Sequence, residues 1–477
     1  MKIFKRFCVL IAALLITGAL VSPAMAVETD QSIVNGCHSV DASVSLSDSE
    51  QLAETAKAVI LYERNSDTLL YSWNPDERIY PSSMVKLMTA LVAYEEGDLA
   101  QEVVVTKRAL SYVEIGSVSA NLKSGERLPL KDLMYCMMVA SANDAATVIA
   151  EHVGGTQDRF IELMNRKAAA LGCTDTHFSN VHGLHAEDTY TTARDICRIV
   201  DAALDIPVLK EMFCLETYTV PATNKTEEPR EIWTTNYMMS SHSIKKYYDA
   251  RVTGGKTGAT DEAGRCLVAT SEGKGMEILS IVMGAEPEYE ENGLALKRFG
   301  SFEETAVLLD YAYTNYEYRQ IFYEGQAISQ FAVENGINSV VARPAVSAST
   351  VLPAGIEADK LTWIFGNSNP TFSAPVEKGQ VLSNVQVWYG SKCLAQTDLI
   401  AMNAVPLKQT EQEQDDPVVE KEEQKTGGIP QWVVIVACVL VGIVVLVMGL
   451  RVFSKFLRQA KQNARRRRRR NDRQRSR

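Results

Sequence analysis

Three short motifs stand in one order along the chain: Ser83-Met84-Val85-Lys86, then Ser141-Ala142-Asn143, then Lys256-Thr257-Gly258. A serine hydroxyl is a weak nucleophile until an adjacent base takes its proton. On a helix, a lysine three residues further along shares a face with the serine, so the Lys86 amine can reach the Ser83 hydroxyl. Lysine acts as a base only if part of its population is neutral, which requires burial or a nearby cation to lower its pKa from about 10.4. Lys256 is the candidate second cation. The chemistry these residues offer is acyl transfer, with Ser83 as nucleophile and Lys86 as base. In the second motif the Ser141 hydroxyl can relay a proton to a leaving amine, and the Asn143 amide can hold a carbonyl or orient the lysine. In the third, small residues let a substrate backbone lie along a strand edge, with Lys256, Thr257 and Gly258 as the candidate substrate-binding residues and a carboxylate as the group Lys256 and Thr257 would bind.

Each motif has copies, and context chooses among them. A Ser-x-x-Lys arises by chance roughly once or twice in a chain this long, and Ser243 to Lys246 and Ser271 to Lys274 also fit the pattern. Ser83 follows Tyr80-Pro81-Ser82 and opens a run, Met84 to Tyr94, with Val85, Met88, Leu91 and Val92 at helical spacing, as a helix N-terminus after proline should. Ser141 to Asn143 falls where an apolar helix beginning near Leu133 meets a polar break and a second helix-forming stretch. Its copy at Ser119 to Asn121 sits in a Gly/Ser-rich segment with no buried helix leading in, and is discounted. Lys256 to Gly258 precedes an apolar strand, Cys266 to Thr270, whereas its copy at Lys425 to Gly427 closes a charged linker with no scaffold to hold it.

The elements that must position these residues are strands at both ends and helices between. Ala56 to Tyr62 reads as a strand and Leu69 to Trp73 as its hairpin partner across Asn65-Ser66-Asp67. Helical stretches dominate from 83 to 212, strands return around 252 to 286, and a helix over Phe302 to Tyr313 closes the unit. This pattern implies an α+β domain at 51–316, with an antiparallel sheet assembled from distant pieces and a helical subdomain. From about 321 to 406 short runs at Ser339 to Ala342, Leu361 to Phe365, Val381 to Trp388 and Leu394 to Ala401 predict a small β-sandwich, whose expected task is to space or orient the first domain.

The ends of the chain predict export and anchoring. Lys2, Lys5 and Arg6 precede the apolar stretch Phe7 to Val21, and Ala24-Met25-Ala26 supplies small residues for cleavage, so 1–26 reads as a signal peptide and 27–50 as a spacer. An acidic linker at 407–430 leads to an apolar run at 431–450, of which Trp432 to Leu450 alone is roughly 28 Å as a helix, long enough to span a bilayer. Residues 451–477 hold thirteen Lys or Arg and one acid; with a whole-chain charge of −10, the preceding 450 residues carry −22. An acidic exported part, one transmembrane helix and a basic cytoplasmic tail satisfy the positive-inside rule. The Arg465 to Arg470 run beside a span is expected to meet anionic lipid rather than nucleic acid. The seven cysteines outside the leader and the span include no C-x-x-C and read mostly as small buried residues. No H-E-x-x-H and no Cys/His cluster appears, so neither metal nor cofactor is expected.

The motif set and its surroundings resemble the low-molecular-mass penicillin-binding proteins, serine-type D-Ala-D-Ala carboxypeptidases. Supporting blocks are Ser82 to Ala90, Ser141 to Ala146, Phe178-Ser179-Asn180-Val181-His182-Gly183-Leu184, Thr192-Ala193-Arg194-Asp195 and Gly255 to Thr260. The resemblance covers roughly residues 50 to 316 and, less clearly, the stretch to about 406. It implies the penicillin-binding/serine β-lactamase fold, Ser83 as the residue acylated, Lys86 as its base, Ser141 and Asn143 as proton-transfer and substrate-holding groups, and Lys256 with Thr257 on the terminal carboxylate. It implies peptidoglycan stem peptides as substrate and β-lactams as covalent inhibitors. One departure stands out: many relatives carry an arginine just before the segment matching Phe302 to Leu309, where this chain has Ser301. Arg298 is out of register, so carboxylate binding would rest more heavily on Lys256. His182 is expected to support its loop. The competing functions are a D,D-endopeptidase or β-lactamase using the same motifs, and a catalytically idle wall-binding protein, which would have no need of the Ser83/Lys86 pair.

Overall fold

The computed structural model describes residues 51–240, 242–291, 296–366 and 370–409. The predicted signal peptide, spacer, apolar span and basic tail, and the acidic linker beyond 409, lie outside the described residues. Among the described residues no helix is long and apolar enough to cross a membrane.

Strands β1 (Ala58–Glu63) and β2 (Thr68–Trp73) form the predicted hairpin, with β1 starting two residues later than its apolar pattern indicates. The turn is closed by the fully buried Glu63 carboxylate, which accepts hydrogen bonds from the Ser66 N–H (2.8 Å) and hydroxyl (2.6 Å) and from the Glu277 N–H (2.9 Å). All of β1 is buried because both faces of the sheet are covered: Ala58, Ile60 and Tyr62 belong to one core cluster, Val59 and Leu61 to the other. A strand so placed is a continuous apolar run rather than an alternation.

The chain then leaves the sheet for a helical lobe: α1 (Val85–Glu96), β3 (Glu102–Val104), α2 (Lys107–Ser111), β4 (Arg127–Pro129), α3 (Leu130–Val139), α4 (Asn143–Gly154), α5 (Gln157–Ala170), α6 (Ala193–Leu204) and α7 (Pro207–Cys214). The α5 and α6 starts are written locally, since the Thr156 and Thr192 hydroxyls accept from the Arg159 and Asp195 N–H groups as N-caps do. A hairpin of β5 (Thr217–Val220) and β6 (Arg230–Trp233) follows; its four-residue strands are too short and too polar to show a period. The chain returns as β7 (Val252–Thr260), β8 (Gly264–Gly273) and β9 (Met276–Ala285), giving an antiparallel five-stranded sheet of order β2-β1-β9-β8-β7. Helix α8 (Ser301–Asn315) then packs its Leu308, Leu309 and Ala312 on the face opposite the lobe.

Beyond α8 lies a β domain. Its five-stranded sheet runs in the order Ser329–Phe331, Val340–Pro344, Lys392–Ala401, Val381–Tyr389, Leu361–Phe365. Two further ladders, Tyr316–Phe322 with Ala348–Pro353 and the short pair Val333–Glu334 with Phe372–Ser373, complete it. One buried cluster that includes Phe322, Val340, Leu352, Val385 and Leu399 forms its core.

Candidate active site

Ser83 sits in a single 3-10 turn, Ser82–Met84, immediately before α1, so the helix proper begins two residues later than Ser83. Ser82 holds a left-handed backbone (φ 48°), a conformation rare outside glycine that a functional turn tolerates. Gly183 makes the turn possible: its φ is +85°, and a Cβ there would lie 1.8 Å from the Ser82 carbonyl oxygen.

Lys86 occupies the first turn of α1 with no exposed surface. Its Nζ lies 3.0 Å from Ser83 Oγ and donates to the His182 carbonyl at 2.6 Å. Burial lowers its pKa well below the ordinary lysine value, and the positive charge of Lys256 lowers it further, with Asp144 opposing. The His182 ring accepts from the Leu184 N–H at 3.1 Å, and burial first, then Lys86, brings it down to about 4, so it is neutral and structural in its contacts.

Ser141 lies in the break between α3 and α4, again with a left-handed backbone (φ 61°). Lys256 Nζ, 1% exposed, donates to Ser141 Oγ at 2.7 Å and to the Thr257 carbonyl at 3.0 Å. Burial brings Lys256 down to about 7. Asn143 opens α4, is buried, and its N–H donates to the Val118 carbonyl at 2.8 Å. The three motifs thus meet at one place, forming two amine–hydroxyl pairs. Ser83, Ser141, Thr257 and Gly258 line a cavity of about 200 Å³ at the free edge of β7.

Several contributors carry no recognisable sequence signal. Thr235 hydrogen-bonds Thr257 through their hydroxyls, and Tyr237, Arg265 and Phe299 form cavity wall beside Ser301, the position singled out above. Asp144 could have been flagged from its place beside Asn143. Its carboxylate accepts from the Ser119 hydroxyl (2.6 Å) and the Ala120 and Leu122 N–H groups (2.9 and 3.0 Å), so the discounted Ser119 copy is a loop clasped against the start of α4, next to Ser141 to Asn143. Lys246 and Lys274 of the chance copies turn to the backbone carbonyls of Lys297 and Tyr313 instead of to their serines. Arg298 lies 3.7 Å from the Glu303 carboxylate. Five of the six described cysteines are buried, with the Cys136 and Cys173 thiols pushed up to about 12 by burial.

An antiparallel sheet backed by helices, with a serine held against an enclosed lysine at its edge, defines the class: a serine hydrolase of the penicillin-binding fold. The sequence model of the D-alanyl-D-alanine carboxypeptidase family matches residues 45–287, and the chain belongs to that family. A second model, the C-terminal domain of penicillin-binding protein 5, matches residues 316–407. The chain is 30% identical over 361 residues to the D-alanyl-D-alanine carboxypeptidase DacA of Haemophilus influenzae, covering 74% of this chain and 85% of that one. It is 28% identical over 357 residues to DacF of Bacillus subtilis, covering 74% and 86%. The crystal structure of penicillin binding protein 5 from Haemophilus influenzae matches with a TM-score of 0.57 at 27% identity, covering 76% of this chain and 99% of that one.

Proposed function

We infer that the protein is a serine-type D-Ala-D-Ala carboxypeptidase that removes the terminal D-Ala from peptidoglycan stem peptides through an acyl-serine. The observation that carries this reading is the 3.0 Å approach of the enclosed Lys86 amine to the Ser83 hydroxyl inside the cavity that the other motifs wall. Neutral Lys86 takes the Ser83 proton as Oγ attacks the carbonyl carbon of the penultimate D-Ala. The tetrahedral adduct collapses, the C–N bond breaks, and the proton that Lys86 took passes to the departing amine by way of the Ser141 hydroxyl, which Lys256 holds, so that Lys86 is neutral again. Asn143 holds the substrate, and Thr257 and Gly258 of β7, with Lys256 behind them, receive its C-terminal end. Water then attacks the ester carbonyl and gives a proton to neutral Lys86, which hands it to Ser83 Oγ as the acyl–oxygen bond breaks, freeing Ser83 and the shortened peptide. A β-lactam enters by the same first step and stays attached.

Mass spectrometry after incubation with penicillin tests the reading. An adduct on Ser83 is expected in the wild type and none in Ser83→Ala, with D-Ala release from a pentapeptide falling at least about 10³-fold in the variant. Equal labelling of the two proteins, or no labelling of either, would refute it. A long-lived adduct distinguishes the protein from a β-lactamase.

The reading includes place. A cleaved leader, a catalytic domain at 51–316, a β domain at 321–406 and a single span at 431–450 would set the enzyme outside the cell membrane with its basic tail in the cytoplasm. The full chain is then expected in the membrane fraction, and a chain stopped after residue 430 in the soluble exported fraction. Retention of the truncated chain in the membrane would contradict a C-terminal anchor.

A further inference from the structure

The cavity has a second cation, on the side that Lys256 does not serve. In the β7–β8 ladder Lys256 pairs with Val268 and Gly258 with Cys266, whereas Thr257 pairs with Leu267 and Ala259 with Arg265. Residues directly paired across an antiparallel ladder share a face, and faces alternate along each strand. Thr257, Ala259 and Arg265 therefore project on one face, and Lys256 projects on the other, toward the helical lobe and Ser141. Arg265 lines the same cavity as Ser83, Thr257 and Ser301. Ala259, its cross-strand partner, offers only a methyl group to screen it.

The guanidinium is held without being consumed. It lies 5.9 Å from the centroid of the Phe299 ring, a cation–π contact that orients an arginine and leaves its N–H donors free. The neighbouring arginines are engaged by acids: Arg251 pairs with Asp249 and Asp310, and Arg298 approaches Glu303. Among the described residues no acid pairs with Arg265. Lys256, brought down to about 7 by burial, is charged only part of the time at neutral pH, whereas a guanidinium is always charged. A terminal carboxylate lying over Thr257 meets its permanent positive charge at Arg265.

We propose that Arg265 binds the C-terminal carboxylate of the departing residue and is the side chain that selects peptides with a free C-terminus. This rests on the carboxypeptidase reading above. The test uses the full-length protein and two acyl-D-alanyl thioesters, one with a thioglycolate leaving group that carries the carboxylate and one with an ethanethiol leaving group that lacks it. The wild type should favour the first in kcat/KM. Arg265→Ala should cut that preference roughly 10- to 100-fold, the worth of a charge-assisted hydrogen bond. Arg265→Lys should restore part of it, and Arg298→Ala should keep it. Should Arg265→Ala fail to fold, Arg265→Gln and Arg265→Lys decide, since both keep the stem and only lysine keeps the charge. An unchanged preference in Arg265→Ala or Arg265→Gln, equal losses on both thioesters, or loss of preference in Arg298→Ala would overturn the assignment. A wild type that labels with penicillin and releases D-Ala but shows no preference overturns this proposal alone; one that does neither overturns the carboxypeptidase reading with it.

Discussion

Lys86 and Lys256 are both enclosed, and among the described residues neither forms an ion pair. Two cationic amines in such a place repel each other and lose hydration, so the neutral form of at least one is favoured near neutral pH. Because the amines interact, the pH profile reports the pair rather than either residue. The base must be uncharged, so kcat/KM for D-Ala release is expected to rise with pH through an apparent pKa well below the roughly 10.4 of free lysine. A profile that stays flat up to about pH 10 would contradict a lysine base. Lys86→Arg keeps a cation but cannot shed its proton. It is expected to lose at least about 10²-fold in acylation rate, measured by stopped-flow penicillin binding, at every pH. A charge-only role for Lys86 would instead leave the arginine variant active.

The elements hold the serines by backbone as much as by side chain. Ser82 and Ser141 both take left-handed conformations that aim the adjoining motif residues at the β7 edge. The surrounding packing leaves no slack, as the Gly183 contact with the Ser82 carbonyl illustrates. Gly183→Ala is expected to displace the 3-10 turn, lowering acylation about 10²-fold with a clear fall in Tm, read by penicillin-binding kinetics and calorimetry. Asp144 acts at the same scale: one carboxylate ties the loop at 119–122 to the first turn of α4. Asp144→Ala should destabilise the protein by about 2–3 kcal/mol in urea unfolding, since two buried N–H groups lose a charged acceptor. An unaltered midpoint would show that the clasp is replaceable.

At the level of the whole described chain, the β domain rests on the outer strand of the catalytic sheet. The Tyr316 hydroxyl donates to the Leu70 carbonyl at 3.0 Å, Val351 joins the core cluster beneath α8, and Lys392 Nζ donates to Thr68 Oγ1 at 3.2 Å. Burial at this contact brings Lys392 down to about 8. Between about pH 8 and the unfolded value near 10.4 the unfolded chain therefore holds a proton that the folded one has released, and stability gains with pH in that window. Thermal melts of the wild type and Lys392→Met should show the variant relatively more stable below pH 8, with the advantage shrinking as pH rises. A difference independent of pH would exclude a buried ammonium at that contact.

The contact of Ser83 with Lys86 was legible in the chain because an i, i+3 spacing puts both side chains on one face of a helical turn, 3-10 or α, and motif order marked Ser141 and Lys256, which meet as a second amine–hydroxyl pair. The fold class, the β1–β2 hairpin and the closing helix were legible too, since burial on both faces of a sheet or on one stripe of a helix imposes a pattern on composition. What lay beyond reach was set by contacts between segments far apart in sequence. Asp144 recruiting the Ser119 loop, Thr235 meeting Thr257, Arg265 facing the cavity across a ladder and Lys392 reaching Thr68 all depend on register and packing. Local periodicity encodes which face of an element is buried; only the assembled sheet decides which distant side chain stands opposite, because pairing register is a property of two strands and never of one.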